Sequence, residues 1–175
     1  MDTSDIRIGM GTDVHAFATG RNLVLGGVKI EHDQGLAGHS DADVLIHAVC
    51  DALLGAAGLG DIGDLFPDTD PAYKDIDSRI LLKTCAQKLA KAKYQILNID
   101  CTVFAQVPKL GHKKQEMVES IARTLALSPR LVNVKASTTE HLGFIGRKEG
   151  IAAQAVVLIA ERTHPDITKP FIRET

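Results

Sequence analysis

Residues 40–60, SDADVLIHAVCDALLGAAGLG, decide how the rest of the chain is read. Ser40 has the identity of a helix N-cap, and Asp43 three residues later resembles the far end of a capping box. A helix is therefore expected over Ala42–Ala57, stopping near Gly58 and Gly60. Upstream, Ile6–Phe17 reads as a strand running into Asp13-Val14-His15. Arg21–Ile30 reads as its hairpin partner, Gly26-Gly27 marking a bulge or a close backbone approach, and Gly35–Gly38 as loop. Downstream, Gly60–Pro71 carries four Asp and two Pro and reads as a long loop. A second helix is expected from Asp77-Ser78 to about Lys93, and a strand over Ile96–Ala105 with Ile99, Cys101 and Val103 on one face. Pro108–His112 reads as a turn, Lys114–Leu125 as a third helix, and Val132–Ala136 and Ile151–Ala160 as the last strands. The expected class is α/β, an α+β sandwich in which one mixed sheet is covered on one face by about three helices. Residues 1–162 are expected to form one domain, with 163–175, which hold Pro165 and Pro170, as a frayed tail.

The chain has 175 residues, 45% hydrophobic and 24% charged, with a mean hydropathy of +0.03, which excludes a disordered or collagen-like chain. Aromatic residues are 4%, too few for a stacking platform for single-stranded nucleic acid. A net charge of -2 gives no bulk attraction to nucleic acid or an anionic membrane. The longest apolar run, Ile151–Ala160, is interrupted by Gln154 and falls short of the roughly 20 residues a bilayer requires. Cys50, Cys85 and Cys101 are odd in number and lack C-x-x-C spacing, which suits buried thiols in a reducing compartment. Met1–Asp5 has no signal architecture. A cytoplasmic protein is expected, with a plastid form whose transit peptide had been removed left open.

Asp13-Val14-His15 on a strand puts both functional side chains on one face, and His47 on the following helix completes an Asp/His/His set. Three such ligands leave a fourth tetrahedral position open, the arrangement of a catalytic zinc. From spacing alone the more economical reading is a turn cap and two ordinary histidines. His39-Ser40 precede the helix that supplies His47, and a helix N-terminus attracts phosphate. Asp51, one turn after His47, could orient its imidazole or simply face solvent. Asp61, Asp64, Asp68 and Asp70 miss the EF-hand pattern, and the flanking Gly60 and Gly63 favour a mobile substrate loop. Ser137-Thr138-Thr139-Glu140 ends a strand with three hydroxyls and a carboxylate, suited to phosphate oxygens and a hydrated Mg²⁺ or to a plain turn. Each signal is weak alone. Together they point to phosphoryl chemistry.

Five segments make the chain recognisable: RIGMGTDVHAF at 7–17, the whole of 35–71, the SR of DSRILL, NIDCTVFAQVPKL at 98–110 and NVKASTTEHLGFIGRKEGIA at 133–152. In order and spacing they closely resemble the family of 2-C-methyl-D-erythritol 2,4-cyclodiphosphate synthases of the non-mevalonate isoprenoid pathway. The resemblance implies Asp13, His15 and His47 as zinc ligands and Glu140 as the holder of Mg²⁺ or Mn²⁺. It implies that His39 and Ser40 hold substrate phosphate and that Asp61, Gly63 and Asp68 belong to the loop facing the substrate backbone. Ala105 to Gly111, with Lys109 and Leu110, match the cytidine cradle, and Ser137 and Thr138 the hydroxyls near the diphosphate. Phe144 and Arg147 match positions beside the substrate and a trimer axis. His39 and Thr138 are the expected catalytic hydrogen-bond donors. The reaction implied is closure of a cyclodiphosphate with loss of CMP, in a monofunctional homotrimer with sites between subunits. No nucleic acid or membrane partner is implied. The chain departs from the commoner pattern at Met10, at Ser137 where Thr is usual, and at Gly111-His112 on the cytidine rim. A metal-dependent phosphohydrolase and a non-catalytic trimer binding isoprenoid diphosphates are the rival readings.

Overall fold

The computed structural model describes residues 6–162; Met1–Asp5 and the expected frayed tail 163–175 lie outside the described residues. The first strand, β1 (Ile6–Ala18), alternates as period-2 geometry dictates: Gly9 and Gly11 are buried and Asp13 and His15 half-buried, while Ile8, Met10 and Val14 face outward. It pairs antiparallel with the last strand, β7 (Gly150–Glu161), whose nearly continuous Ala/Val/Ile content suits the centre of a sheet. On its other side β7 pairs antiparallel with β5 (Tyr94–Phe104), and β5 pairs parallel with β6 (Val132–Ser137). A two-residue strand, β4 (Gly35–Leu36), lies antiparallel to the end of β1. The order β4-β1-β7-β5-β6 is one mixed sheet, as expected.

Three long helices cover one face: α1 (Val44–Ala57), α3 (Ser78–Lys91) and α4 (Lys114–Thr124). Ile99, Cys101 and Val103 of β5 and Ile151, Ala153, Ala155, Val157 and Ile159 of β7 pack beneath them in the core. Two four-residue helices, α2 (Ile62–Leu65) and α5 (Gly143–Gly146), interrupt stretches read as loop. The seam between β1 and α1 is built of small residues: a Cβ at Gly11 would stand 2.1 Å from the Ala48 carbonyl oxygen, and one at Gly9 2.0 Å from that of Ala52. Only glycine at these positions lets helix and strand approach so closely. Among the described residues none of the three long helices covers the opposite face of the sheet, which leaves Ile8 70% and Met10 67% exposed.

Three local expectations are corrected. The N-cap of α1 is Asp43, not Ser40; its carboxylate accepts from the backbone N–H groups of Leu45 and Ile46, and the helix starts at Val44. Residues 21–30 do not pair with β1 but form their own hairpin, β2 (Leu23–Leu25) with β3 (Val28–Ile30). Gly26 and Gly27 both have positive φ and make its two-residue turn, not a bulge. Asp43 joins these two corrections: fully buried, it also accepts from the N–H groups of Gly26 and Gly27 and pins the hairpin tip to the start of α1. Burial pushes its carboxyl up to about 6, with the N–H donors opposing the rise. Gly35–Leu36, read as loop, is β4.

Candidate active site

Asp13 and His15 project from the helix-facing side of β1, and His47 reaches them from the first turn of α1. Asp13 Oδ2 lies 2.9 Å from His15 Nε2 and 2.9 Å from His47 Nδ1, and those two nitrogens are 3.1 Å apart. Each imidazole is anchored from behind. His15 Nδ1 is 2.5 Å from the carbonyl oxygen of Ala37, which can only accept, so Nδ1 carries a proton and Nε2 is the ring atom turned to the front. His47 Nε2 sits 3.0 Å from Ser78 Oγ and 3.1 Å from Ser40 Oγ. Burial works to raise the Asp13 carboxyl, but the hydrogen bonds and charge of His15 and His47 outweigh it and hold it far below the usual carboxylate range. Burial lowers His15 and Asp13 more than compensates, leaving it raised. One oxygen and two nitrogens converge on a point that favours positive charge, and this group can hold a metal ion. His15 and His47 of this group also line the adjoining cavity.

That cavity, about 520 Å³, is lined by His15, His39, Ser40, His47, Gly63 and Asp68, with Ile62, Phe66 and Tyr73 as an apolar wall. His39 is fixed by its Nε2 contact with the carbonyl oxygen of Asp70, 3.0 Å away. At the start of α1 the Asp43 carboxylate takes the N–H groups of Leu45 and Ile46, so these two are not offered to a ligand. Asp61 does not line the cavity. It caps α2 in a reciprocal capping box with Asp64 and so shapes the turn that presents Gly63.

A second cavity, about 200 Å³, is lined by Ala105, Lys109, Leu110, Gly111, Ser137 and Thr138 with Pro108, Lys114 and Ala136. It stands at the C-terminal ends of the parallel pair β5 and β6. Thr138 Oγ1 donates to Glu140 Oε1 at 2.8 Å, joining the hydroxyl run to its carboxylate. Phe144 and Arg147 lie on and just after α5, exposed, with Arg147 Nε bonded to Glu149 Oε1 at 2.7 Å. Strand register puts the two cavities at one end of the sheet: His15 pairs with Ile151, Ala152 with Phe104, and Phe104 with Ser137. His15 and Ser137 are thus level but three strand spacings apart, about 14 Å.

Sequence reasoning missed the partner of His47. Asp51 does not touch the imidazole; its Oδ1 accepts from the N–H of Ile62 and ties α2 to α1. Ser78, fully buried at the start of α3, takes that place, backed by Asp41. Nothing in local spacing marks Ser78, which is 31 residues from His47 and meets it only once α3 packs on α1.

A family model described as the YgbB family matches residues 6–160. A Bordetella avium protein named 2-C-methyl-D-erythritol 2,4-cyclodiphosphate synthase is 57% identical over 160 residues, covering 91% of this chain and 99% of its own. A Plasmodium falciparum structure described as "IspF CDP complex" superposes with a TM-score of 0.80 at 36% identity, covering 91% of this chain and 98% of its own. A bifunctional IspDF from Campylobacter jejuni matches with a TM-score of 0.87 at 51% identity, this chain spanning 90% of itself and 42% of that protein. With its mixed sheet, its Asp/His/His group and near full-length identity on this scale, the chain belongs to the YgbB family, that of the 2-C-methyl-D-erythritol 2,4-cyclodiphosphate synthases.

Proposed function

We propose that the chain converts 4-diphosphocytidyl-2-C-methyl-D-erythritol 2-phosphate to 2-C-methyl-D-erythritol 2,4-cyclodiphosphate. An oxygen of the 2-phosphate bonds to the β-phosphorus, the bond from that phosphorus to the α–β bridging oxygen breaks, and CMP leaves with the oxygen. The observation that carries the reading is the Asp13/His15/His47 group at the wall of a cavity also lined by His39 and Ser40. Asp13, His15 and His47 would hold Zn²⁺, and Glu140 Mg²⁺ or Mn²⁺. Bound there, the ions would supply Lewis acidity and neutralise phosphate charge. The protein's own part is positioning. Ser40 offers a hydroxyl to the 2-phosphate, and His39, whose Nε2–H is taken by the Asp70 carbonyl oxygen, offers Nδ1–H in its doubly protonated form. Thr138 and Ser137 offer hydroxyls to the diphosphate, and the segment Ala105–Gly111, with Lys109 and Leu110, encloses the cytidine. Gly63 and Asp68 present the loop wall to the erythritol backbone, in a turn that Asp61 shapes, and Phe144 and Arg147 stand beside the substrate and the trimer axis.

The complete site is assembled from two chains of a homotrimer. The α- and β-phosphorus atoms are separated by a single bridging oxygen, yet the two halves that must grip them lie about 14 Å apart along one sheet. A second copy can bring its cytidine half to the first copy's metal half. The uncovered sheet face, with Ile8, Met10, Val14 and Val156 exposed, is the surface that such association would bury. Among the described residues no helix is long and apolar enough to cross a membrane. The three buried free cysteines suit a reducing, cytoplasmic setting.

The test is CMP release from the substrate with and without a chelator, followed by ³¹P NMR. Metal-dependent CMP release with a cyclic diphosphate product is the expected result. Linear products or free phosphate would replace this reading with a phosphohydrolase. CMP release that survives chelation and the His47→Ala substitution would remove the Asp13/His15/His47 group from the reaction, and tight isoprenoid-diphosphate binding without any turnover would leave only a binding trimer.

A further inference from the structure

Behind the imidazole of His47 lies a hydrogen-bond chain with only one consistent direction. Ser78 Oγ is 2.5 Å from Asp41 Oδ1, and the Ser78 backbone N–H reaches Asp41 Oδ2 at 3.1 Å. The Asp41 carboxylate accepts from both. A serine hydroxyl has one proton, and this one is given to Asp41, so toward His47 Ser78 Oγ presents only lone pairs. The ring nitrogen 3.0 Å away must then be the donor. Ser40 Oγ, 3.1 Å from the same nitrogen, already accepts from the N–H of Ala42 and is free to turn its own proton elsewhere. With Nε2 protonated, Nδ1, which faces Asp13 Oδ2 at 2.9 Å, is the atom left to take either a second proton shared with Asp13 or, in the neutral ring, a metal ion.

We propose that Asp41 and Ser78 are positioning residues that fix His47 as the Nε2–H tautomer and so hold Nδ1 ready as a metal ligand. The inference rests on the metal reading of the site. Ser78 suits the task because it is fully buried, so water does not compete for either of its bonds. Its backbone also enters α3 under an Asp77 cap, which fixes the hydroxyl relative to α1. Second partners of this kind set which nitrogen of a ligating histidine binds metal, and their loss weakens metal affinity by roughly 10–100-fold.

Asp41→Asn separates orientation from packing, because it preserves every heavy-atom position. Of the two backbone donors to this side chain, the Ser78 N–H is the nearer, at 3.1 Å against 3.3 Å for the Asp43 N–H on the other oxygen, so it takes the amide oxygen and the amide NH₂ meets the Ser78 hydroxyl. That hydroxyl then turns its proton to His47 Nε2 and drives the ring to the Nδ1–H form, which cannot ligate through Nδ1. Zinc affinity is measured by competition with a fluorescent chelator in wild type, Asp41→Asn and Ser78→Ala, and ¹H–¹⁵N spectra of the zinc-loaded wild-type protein identify the protonated nitrogen of His47. The expected results are an Nε2–H on His47 and a zinc Kd raised about 10–100-fold in both variants. Either variant binding zinc as wild type does, or a wild-type His47 protonated at Nδ1, overturns the assignment. A wild-type protein that takes up no zinc overturns the metal reading itself, and this inference with it.

Discussion

Replacing Gly11 with alanine tests whether the close approach of β1 and α1 is what assembles the metal group. The added Cβ would lie 2.1 Å from the Ala48 carbonyl oxygen, 2.7 Å from the Ala52 nitrogen and 2.8 Å from Asp51 Cβ. Two of these three are backbone atoms, which cannot rotate aside. To reach even a tight 3.0 Å, helix and strand must part by roughly 0.9 Å. Ala48 follows His47 directly, so the same movement draws His47 Nδ1 away from Asp13 Oδ2. Metal ligands tolerate only about ±0.2 Å in distance, so a shift of this size is several times too large. Overpacking should cost about 1–3 kcal/mol, or roughly 2–12 °C in Tm for a chain of this length. Zinc affinity should fall at least about tenfold. Gly55→Ala is the matched control. It lies on the same helix with nothing within 4 Å of its Cβ position, and alanine there should stabilise by about 0.5–1 kcal/mol. Thermal denaturation and chelator competition read both. Gly11→Ala with wild-type Tm and wild-type zinc affinity would refute the reasoning, since the seam would then be able to yield without carrying His47.

His47→Ala and Thr138→Ala should each abolish CMP release alone, yet regain about one quarter of wild-type activity when co-expressed, because in the proposed trimer each shared site draws one half from each of two chains; mixtures that stay inactive would place the whole site within one chain. Asp43→Ala strips the acceptor from four backbone N–H groups, those of Gly26, Gly27, Leu45 and Ile46. A loss of at least about 3 kcal/mol is expected, or roughly 6–12 °C in Tm, and a scanning-calorimetry shift below 2 °C would contradict it. Burial pushes the Cys101 thiol up to about 12 and raises Cys50 well above its ordinary value, so iodoacetamide at pH 8 should label neither in the native protein and both after unfolding, as read by mass spectrometry.

The parts of the fold legible in the sequence are those where one local rule acts alone. Helix α1 ends where Gly58 adopts positive φ, and β5 buries alternate residues from Ile99 to Val103 because one face meets helices. The errors fall where two rules compete. Ser40 and Asp43 are both good caps, and the winner was decided by the hairpin tip, whose two N–H groups need a buried acceptor that only Asp43 is placed to give. Gly26-Gly27 inside an apolar stretch fits a bulge as well as a turn. It became a turn because β1 already had β7 and β4 as neighbours, leaving residues 21–30 to pair with themselves.

The site divides along the same line. Alternation on a strand places Asp13 and His15 on one face, but spacing alone favoured a turn cap and two ordinary histidines, and it was the resemblance of the longer motifs that joined them with His47 as a ligand set. The i, i+4 spacing of helices left Asp51 open either as a support for His47 or as a solvated acid, because that rule only brings two side chains to one face and does not say what else the acid will meet. In the folded chain Asp51 meets the unpaired N–H of Ile62 at 2.8 Å and is taken by it. Ser78 reaches His47 because α3 crosses α1 at its own N-terminus, a placement set by Leu81, Leu82 and Cys85 seeking the core and not by any polar motif. Packing brings the serine to the histidine; the bond to Asp41, and not proximity alone, then decides which way its proton points. A residue whose role depends on tertiary placement and on the direction of a hydrogen bond leaves no spacing to find, and only the structure could supply it.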